Sequence, residues 1–286
     1  MKDKYKVVIV GFAHVHINDV AKHFYEHPRI DLCGAADVPP HMPEMKPGAI
    51  YTREWNIDYC CKNYNIPKFD DWKQMLDEVK PDLCVVNSEN CYHVQITEEC
   101  AKRGIGVSIE KPMATTLEDC EAMARTARQA GKLLMIDQNQ RLAPAHQKAR
   151  EWINAGKIGR PLTFRTRFAH GGPETWSADP GSGTWFFDRK LAAMGVLADL
   201  GIHKTDLIQF LLGQKVTEVT AFLTTLDKRF SDGSLISLDD NALCLYKMSG
   251  GAVGTMTASW THYGQEDNST EIDGTEGTLR IYADPE

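Results

Sequence analysis

Three short stretches of this chain carry side chains that can move protons, bind anions or hold a metal ion. They are GFAHVH at 11–16, EKP at 110–112 and DLGIHKTD at 199–206. Histidine is suited to acid–base chemistry because its pKa lies near working pH, and lysine can donate a charged hydrogen bond to a substrate oxygen. What these residues do depends on the elements that position them.

The first stretch follows a short apolar run, at the place of a phosphate-binding loop. Such a loop needs one glycine for a tight turn, a second for close approach to the pyrophosphate and a third for helix packing. Gly11 fills the first place, Ala13 the second and His16 the third. Asp37 lies 21 residues after His16, where an acidic side chain accepts hydrogen bonds from the ribose hydroxyls. An ordinary turn aspartate is equally consistent with this position.

The loop and Asp37 together predict NAD as the cofactor, with NADP less favoured. The Asp37 carboxylate would face the second phosphate of NADP. The next residue is Val38, so no arginine stands immediately beside that carboxylate in the sequence. We therefore expect Asp37 to exclude the second phosphate.

His14 and His16 have a spacing that could instead hold a metal ion. An HxH after a first strand is similar to the amidohydrolase barrel, in which both imidazoles bind a divalent ion, but that fold would continue as eight βα units. This chain changes to antiparallel strands midway. We therefore expect no metal and place both histidines beside the diphosphate, at a helix N-terminus.

The other two stretches each have a functional and a structural interpretation. Lys111 follows a strand that ends in Glu110, at the sheet edge where ligands bind in open parallel sheets, although a surface ion pair would also explain the two residues. Asp199 and His203 are spaced i, i+4 and Asp206 follows three residues on, so all three are expected on one face of an apolar helix. Because buried charges need partners, they are functional, or His203 is a core histidine held by one aspartate.

Strands and helices alternate up to about residue 140, which predicts βαβ units and a parallel sheet. Strands are expected at 7–10, 30–36, 82–87, 106–110 and 133–137, and helices at 94–104 and 117–131. In the second helix Thr115 and Glu118 have the spacing of a capping box, and Gly131 is the expected end. The proline-rich segment 38–56 is expected to be a long loop.

After about residue 160 the pattern is that of an α+β domain with a mostly antiparallel, open sheet. Strands are expected at 161–171, 216–226, 241–251, 252–264 and 277–283, and one helix at about 192–212. A Ser-Gly-Gly turn at 249–251 joins two of the strands as a hairpin. We therefore expect an α/β, Rossmann-type dinucleotide-binding domain over 1–145 and an α+β substrate and oligomerisation domain over 146–286.

The composition is that of a soluble globular protein, with 42% hydrophobic and 25% charged residues. A formal net charge of -7 argues against nucleic acid as a partner. No membrane span or signal peptide is visible, so we expect a cytoplasmic protein with no membrane partner. The eight cysteines form no CxxC pair, which favours reduced thiols, and Cys60-Cys61 is a redox or metal candidate only if partners lie nearby.

Taken together, these residues resemble the glucose-fructose oxidoreductase, inositol dehydrogenase and MocA (Gfo/Idh/MocA) family of nicotinamide-dependent sugar and polyol oxidoreductases. EKP resembles the family's most recognisable motif, SENCYH (88–93) its TPNxxH segment, and DLGIHKTD its DxGxHxxD helix. STEIDGTEGTLRIY (269–282) resembles its late strand pair. The similarity runs in order from residue 5 to residue 282.

The resemblance implies that Lys111, Asp199 and His203 are the catalytic residues and that they converge in space. We expect His203 to take the substrate hydroxyl proton, Asp199 to orient it or accept from a substrate hydroxyl, and Lys111 to donate to the reacting oxygen. The expected cofactor-binding residues are Gly11, Phe12, Ala13, His14, Val15, Asp37, Asn87, Asn90, His93, Glu110 and Lys111.

The implied function is NAD-dependent hydride transfer between a secondary alcohol of a sugar, polyol or derivative and the nicotinamide. Two other functions stay open: a lyase or glycosidase that uses NAD for transient oxidation, and a sensor that binds the dinucleotide without catalysis. A homo-oligomer through the C-terminal sheet is expected, because an open sheet has a second face to cover.

Two departures from the family pattern affect these expectations. GFAHVH replaces the glycine loop, and AAMG (192–195) replaces a glycine run before the helix, which leaves the cofactor pose and the pocket shape open. The chain also stops soon after the late strand pair, so we expect either a short member of the family or a truncated one.

Overall fold

The computed structural model describes residues 3–39, 46 and 48–282. Their contacts divide the chain into two compact units. The first unit comprises Met1–Asp137 and Pro173–Ala193, and the second Gln138–Gly172 and Met194–Glu286. The predicted domain boundary at residue 145 stays a prediction.

The first unit is built on a six-stranded parallel sheet, as predicted. Its strands are β1 (Tyr5–Val10), β2 (Ile30–Ala36), β3 (Lys68–Phe69), β4 (Leu83–Val86), β5 (Gly106–Ile109) and β6 (Leu134–Ile136). They lie in the order β3-β2-β1-β4-β5-β6, which is that of the Rossmann fold. From β1 the sheet grows to one side through β2 and β3, and then to the other side through β4, β5 and β6. Ligands bind outside the carboxyl ends of the strands at the point between β1 and β4 where the order changes side.

Helices cover both faces of this sheet. They are α1 (Ile17–Glu26), α2 (Arg53–Tyr64), α3 (Trp72–Val79), α4 (His93–Lys102) and α5 (Leu117–Ala130). On β1, Val8 and Val10 pack into one hydrophobic cluster while Val7 and Ile9 pack into another, so this central strand is buried on both sides. That burial explains its continuous apolar run.

Two local predictions in this unit differ from the structure. The prediction of a long loop over 38–56 is wrong for its last residues, because α2 begins at Arg53 and Thr52 is its N-cap residue. Residues 40–45 and 47 of that segment lie outside the described residues. Helix α5 is capped by Thr116, whose hydroxyl accepts from the Asp119 N–H, rather than by Thr115, while Gly131 ends the helix as predicted.

The second unit is built on an open, mostly antiparallel sheet, also as predicted. Its strands are β7 (Pro161–Ala169), β8 (Val216–Thr224), β9 (Asn241–Met248), β10 (Val253–Ser259), β11 (Thr270–Gly274) and β12 (Thr278–Ile281). They lie in the order β12-β11-β7-β10-β9-β8, and within this sheet β7 and β10 pair in parallel. Helix α6 (Pro144–Asn154) packs against helix α8 (Ile202–Leu212).

The helix predicted over 192–212 is interrupted near its start. A short helix, α7 (Arg189–Ala192), ends before Ala193, which has a φ of 75°. A π-helical turn (Leu197–Gly201) then leads into α8 (Ile202–Leu212). The Asp239 carboxylate accepts from the N–H groups of Gly195 (2.9 Å) and Leu197 (2.8 Å), so a side chain from the loop before β9 caps this helix.

In the described part of the chain, no helix is both long enough and apolar enough to cross a membrane. All eight cysteines are free thiols. Burial raises the pKa of Cys60 to about 12, which keeps that thiol protonated and argues against a reactive Cys60-Cys61 pair.

Candidate functional site

The loop after β1 is anchored to the ends of two neighbouring strands. Gly11 has a φ of 93°, and a Cβ there would lie 2.4 Å from the Ser88 nitrogen, so this position requires glycine. The N–H groups of Ala13 and His14 both donate to the Asn87 carbonyl, at 3.1 and 3.3 Å. The first glycine of a dinucleotide loop is therefore present for the expected reason.

Asp37 lies directly after β2 and binds this loop. Its carboxylate accepts from the N–H groups of Phe12 (3.1 Å) and Val38 (2.9 Å). It also accepts from Arg53, through Nε at 2.9 Å and Nη2 at 3.0 Å. The inference that no arginine stands beside Asp37 is therefore wrong, because the start of α2 brings Arg53 to it from 16 residues along the chain.

Arg53 is held between two carboxylates. Its Nη1 lies 2.5 Å from Glu89 Oε1. Burial disfavours the charge of this guanidinium, but Asp37 and Glu89 outweigh that effect and raise the pKa of Arg53. The three charged groups sum to one negative charge.

A cavity of about 710 Å³ opens beside Asp37. Its walls include Val38, Arg53, Ile57, Phe69, Trp72 and Tyr92. Small-molecule sites have volumes of roughly 300–1,000 Å³ with mainly apolar walls and a few polar groups. The cavity therefore suits the adenosine half of a dinucleotide.

Three polar residues expected to bind the cofactor follow β4. Asn87 is fully buried, and within the described residues neither polar atom of its amide has a hydrogen-bond partner. Asn90 donates to the Ala192 carbonyl at 3.0 Å, and the buried His93 ring contacts the carbonyls of Ser88 and Pro112. Burial lowers the pKa of His93. A buried amide with unsatisfied hydrogen-bonding groups at this sheet edge fits a bound dinucleotide, and Asn90 and His93 hold the chain around it. That all three residues bind the cofactor stays a prediction.

Glu110 and Lys111 follow β5 at the same edge of the sheet and are both buried. Glu110 Oε2 lies 3.1 Å from His16 Nδ1, and Oε1 accepts from the Lys111 N–H at 3.1 Å. Burial opposes the charge of this carboxylate, but His14, His16 and Lys111 prevail and hold the pKa of Glu110 below its usual range. Glu110 is therefore ionised.

A segment that sequence reasoning placed in the second domain covers this loop. The Trp185 indole donates to the Ala13 carbonyl at 2.8 Å. The rings of Phe186 and Trp176 lie 5.7 and 6.4 Å from the ring of His14, centroid to centroid. The aromatic residues in 176–187 indicate that this segment is packed against another part of the protein. The sequence around them does not show that this part is the loop after β1.

The second unit holds Asp199 and His203. Asp199 lies in the π-helical turn and His203 in α8, and both are buried. The indole of Trp260 donates to Asp199 Oδ2 at 3.0 Å, and the His203 ring lies 5.8 Å from that of Phe168. Single π-helical turns are frequent at functional sites. The Trp260 hydrogen bond, which sequence reasoning missed, fixes the Asp199 carboxylate.

Asp206 has a different role from the one its spacing indicated. Its carboxylate forms a two-point ion pair with Arg141, with Nε to Oδ2 at 2.6 Å. Asp206 therefore ties α8 to the segment before α6. Lys111 belongs to the first unit and Asp199 and His203 to the second, and their convergence stays a prediction.

Comparison with known proteins gives matches along most of the chain. A family model described as "Oxidoreductase family, NAD-binding Rossmann fold" matches residues 5–138. A second, described as "GFO/IDH/MocA C-terminal domain", matches residues 146–280. Their order along the chain is the order of the two sheets.

Relatives with assigned activities are similar over most of this chain. A levoglucosan dehydrogenase of Pseudarthrobacter phenanthrenivorans is 30% identical over 230 residues, covering 73% of this chain and 57% of the relative. A scyllo-inositol 2-dehydrogenase (NAD(+)) of Bacillus subtilis is 26% identical over 214 residues, covering 74% of this chain and 58% of the relative. The chain thus spans a little over half the length of these curated relatives.

A solved structure carries the same fold. Levoglucosan dehydrogenase in complex with NADH superimposes with a TM-score of 0.79 and 25% sequence identity, covering 97% of this chain and 73% of that one.

Proposed function

Because the chain belongs to the GFO/IDH/MocA family of oxidoreductases and carries its NAD-binding Rossmann fold, we propose that it transfers a hydride between a secondary alcohol and NAD. The observation that carries the proposal is the buried Glu110–Lys111 pair after β5, at the ligand-binding edge of the parallel sheet. Relatives named for levoglucosan and scyllo-inositol support a sugar, polyol or derivative as the substrate class.

The residues after β1, β2, β4 and β5 would hold the cofactor. Asp37 and the cavity beside it would take the adenosine half, and the Asn87 amide and Glu110 the nicotinamide half. The loop from Gly11 to Val15, at the start of α1, would lie along the diphosphate. When bound, NAD supplies the hydride acceptor.

We propose that the same cluster favours NAD over NADP. The second phosphate of NADP would approach Asp37 and Arg53, and Arg53 is already neutralised by Asp37 and Glu89. A site with one net negative charge repels the added phosphate.

The chain's own contribution to the reaction is proton transfer and orientation. His203 would take the hydroxyl proton of the substrate, and Asp199, held by the Trp260 indole, would orient His203 or a substrate hydroxyl. Lys111 would donate a hydrogen bond to the reacting oxygen. These roles need all three residues to act on one substrate.

We also propose that the protein is a cytoplasmic homo-oligomer that assembles through the exposed face of the second-unit sheet. Phe222 and Leu243 lie opposite each other on β8 and β9, and Leu245 follows on the same face. Their exposed fractions are 76%, 52% and 59%. An apolar patch of this kind marks an interaction surface. Eight free thiols support a reducing compartment.

The proposed activity is tested by incubating the protein with NAD+ and a panel of polyols, sugars and glycosides. Release of NADH with a keto product supports the dehydrogenase. Cleaved product without net NADH would identify the lyase or glycosidase mechanism, and bound NAD+ without turnover of any substrate would identify a sensor. Either of the last two results overturns the proposal.

A further inference from the structure

The loop after β1 and the turn after β5 bring together three side chains that ligate metal ions in proteins. They are His14, His16 and Glu110, and one ligand atom of each lies within 4.8 Å of the other two. In the part of the chain that the structure describes, this is the one group of three histidine, cysteine or carboxylate side chains that meets this condition. All three belong to the first unit.

In place of the expectation that His14 and His16 hold no metal, we propose that His14, His16 and Glu110 form a binding site for one divalent transition-metal ion of the Zn²⁺ class. Two imidazoles and one carboxylate are a ligand set of open, four-coordinate zinc sites and of related iron sites. Nitrogen ligands favour such ions over Mg²⁺ and Ca²⁺, which prefer oxygen.

The distances fit this assignment. Ligand atoms about 2.1 Å from one ion lie at most about 4.2 Å apart. His16 Nδ1 and Glu110 Oε2 are already 3.1 Å apart, and no separation in the group exceeds 4.8 Å. Small side-chain rotations would therefore bring all three atoms onto one ion.

An ion would replace the hydrogen bonds that now join the three residues, including the proton between His16 Nδ1 and the Glu110 carboxylate. The His16 N–H donates to His14 Nδ1 at 3.3 Å, so this ring nitrogen carries no proton, the form in which imidazole binds a metal. An ion at Nδ1 would replace that long hydrogen bond. Glu110 Oε1 accepts from the Lys111 N–H at 3.1 Å, which orients the carboxylate.

The surroundings hold the ligands in place and leave an approach open. Phe186 and Trp176 flank the His14 ring on one side. The His16 side chain is 39% exposed, which gives an ion access from solvent. Dinucleotide-binding loops of the Rossmann fold prefer glycine at the position of His16, and nothing in that fold requires histidine at position 14. The two histidines are therefore better explained by a ligand than by the fold.

Metal titration of the untagged, full-length protein tests the site without substrate or NAD, so the outcome is independent of the proposed dehydrogenase. After removal of bound metal with a chelator, isothermal titration with Zn²⁺ should give one equivalent of saturable binding. His16→Ala and Glu110→Gln should each weaken it at least about tenfold. His23→Ala, which removes an exposed histidine of α1, is the matched control and should bind as wild type does.

Co²⁺ reports the ligands directly. A visible ligand-field band in wild type that is lost in His16→Ala supports the site. A sulfur-to-cobalt charge-transfer band would assign the ion to cysteines and overturn the proposal, as would the absence of saturable Zn²⁺ binding or equal affinity in all variants. Circular dichroism of each variant checks that loss of binding is not loss of fold.

Discussion

Asp37 makes more contacts than ribose recognition requires. Two backbone N–H groups and Arg53 all donate to its carboxylate, and Arg53 also donates to Glu89. The position of Asp37 at the end of β2 was predictable from the sequence. Arg53 was not, because it reaches Asp37 only through the packing of α2.

Replacing Asp37 should change cofactor preference. In Asp37→Ser the ribose loses a charged acceptor, which is worth about 1.5–3 kcal/mol, so NADH affinity should fall roughly tenfold or more. NADPH affinity should fall less, because Arg53 is released toward the second phosphate. Titration of both reduced cofactors against tryptophan emission measures the ratio. Asp31→Ser, an exposed aspartate on β2, is the control, and an unchanged ratio would reduce Asp37 to a turn residue.

The proposed base should affect turnover and not cofactor binding. His203→Ala should lower kcat by about 10²–10⁴-fold with NAD+ affinity nearly unchanged, because the imidazole would touch substrate. Lys111→Ala should raise KM and lower kcat together.

The double variant tests whether the two residues meet at one substrate. Groups that act as a unit are not additive, so Lys111→Ala with His203→Ala should lose less than the product of the two single losses. Fully multiplicative losses in kcat/KM would contradict their convergence. The exposed His23→Ala variant should keep wild-type kinetics.

At the scale of elements, the helix that carries Asp199 and His203 begins where Gly195 meets Asp239. A Cβ on Gly195 would lie 1.9 Å from the Asp239 carbonyl oxygen, and a backbone atom cannot rotate aside. Gly195→Ala should therefore cost at least about 1–3 kcal/mol of unfolding free energy, measured by urea denaturation. Gly171→Ala, with open space around its Cβ, is the control. Equal stabilities would mean that the loop before β9 can move away.

Helix α8 also buries a lysine. Lys204 Nζ donates to the Asn268 carbonyl at 2.9 Å. Burial lowers the pKa of Lys204 to about 7 in spite of the nearby Asp267 and Glu266 carboxylates. An unfolded lysine keeps its proton up to a pKa of about 10.4, so between these values the unfolded state binds more protons. This group therefore adds stability as pH rises from about 7 to 10.

The variant Lys204→Met removes that titration. The melting temperature of wild type minus that of Lys204→Met should increase from pH 7 to pH 10, since contributions common to both proteins cancel. A difference that is constant across this range would show that Lys204 keeps its charge when folded.

Periodicity and turn residues predicted most of the elements. β3 was missed because two residues show no alternation, and α2 because it follows a proline-rich segment. The cap of α5 was misplaced by one residue because Thr115 and Thr116 are adjacent and the next turn holds both Glu118 and Asp119. In these three cases the local patterns are short, masked or duplicated, whereas α1, α3 and α6 lie between expected strands in segments for which no helix bounds were predicted.

At the scale of the whole molecule, the exposed apolar face of the second-unit sheet predicts the mass of the protein in solution. Wild type should scatter light as a multiple of 32.0 kDa at micromolar concentration. Leu245→Lys should scatter as 32.0 kDa, because a charge in an apolar interface is costly to bury. Ser231→Lys, in an exposed turn, is the charge-matched control. A monomeric wild type, or a variant with unchanged mass, would contradict assembly through this face.

The division into two sheets was predictable because strand–helix alternation gives way to hairpins. The assignment of 173–193 to the first unit was not, since it depends on contacts such as that of Trp185 with Ala13, far apart in sequence. The same holds for His16 with Glu110.

The chain passes from one unit to the other after residues 137, 172 and 193. The first unit is therefore not one continuous stretch of the chain. A single crossover between two related genes could not exchange it as a whole. A chimera joined near residue 145 would pair the His14 loop of one parent with the Trp185 segment of another. The aromatic residues that pack on the loop after β1 would then come from a different parent than the loop itself. A functional chimera should therefore take 173–193 from the same parent as residues 1–137.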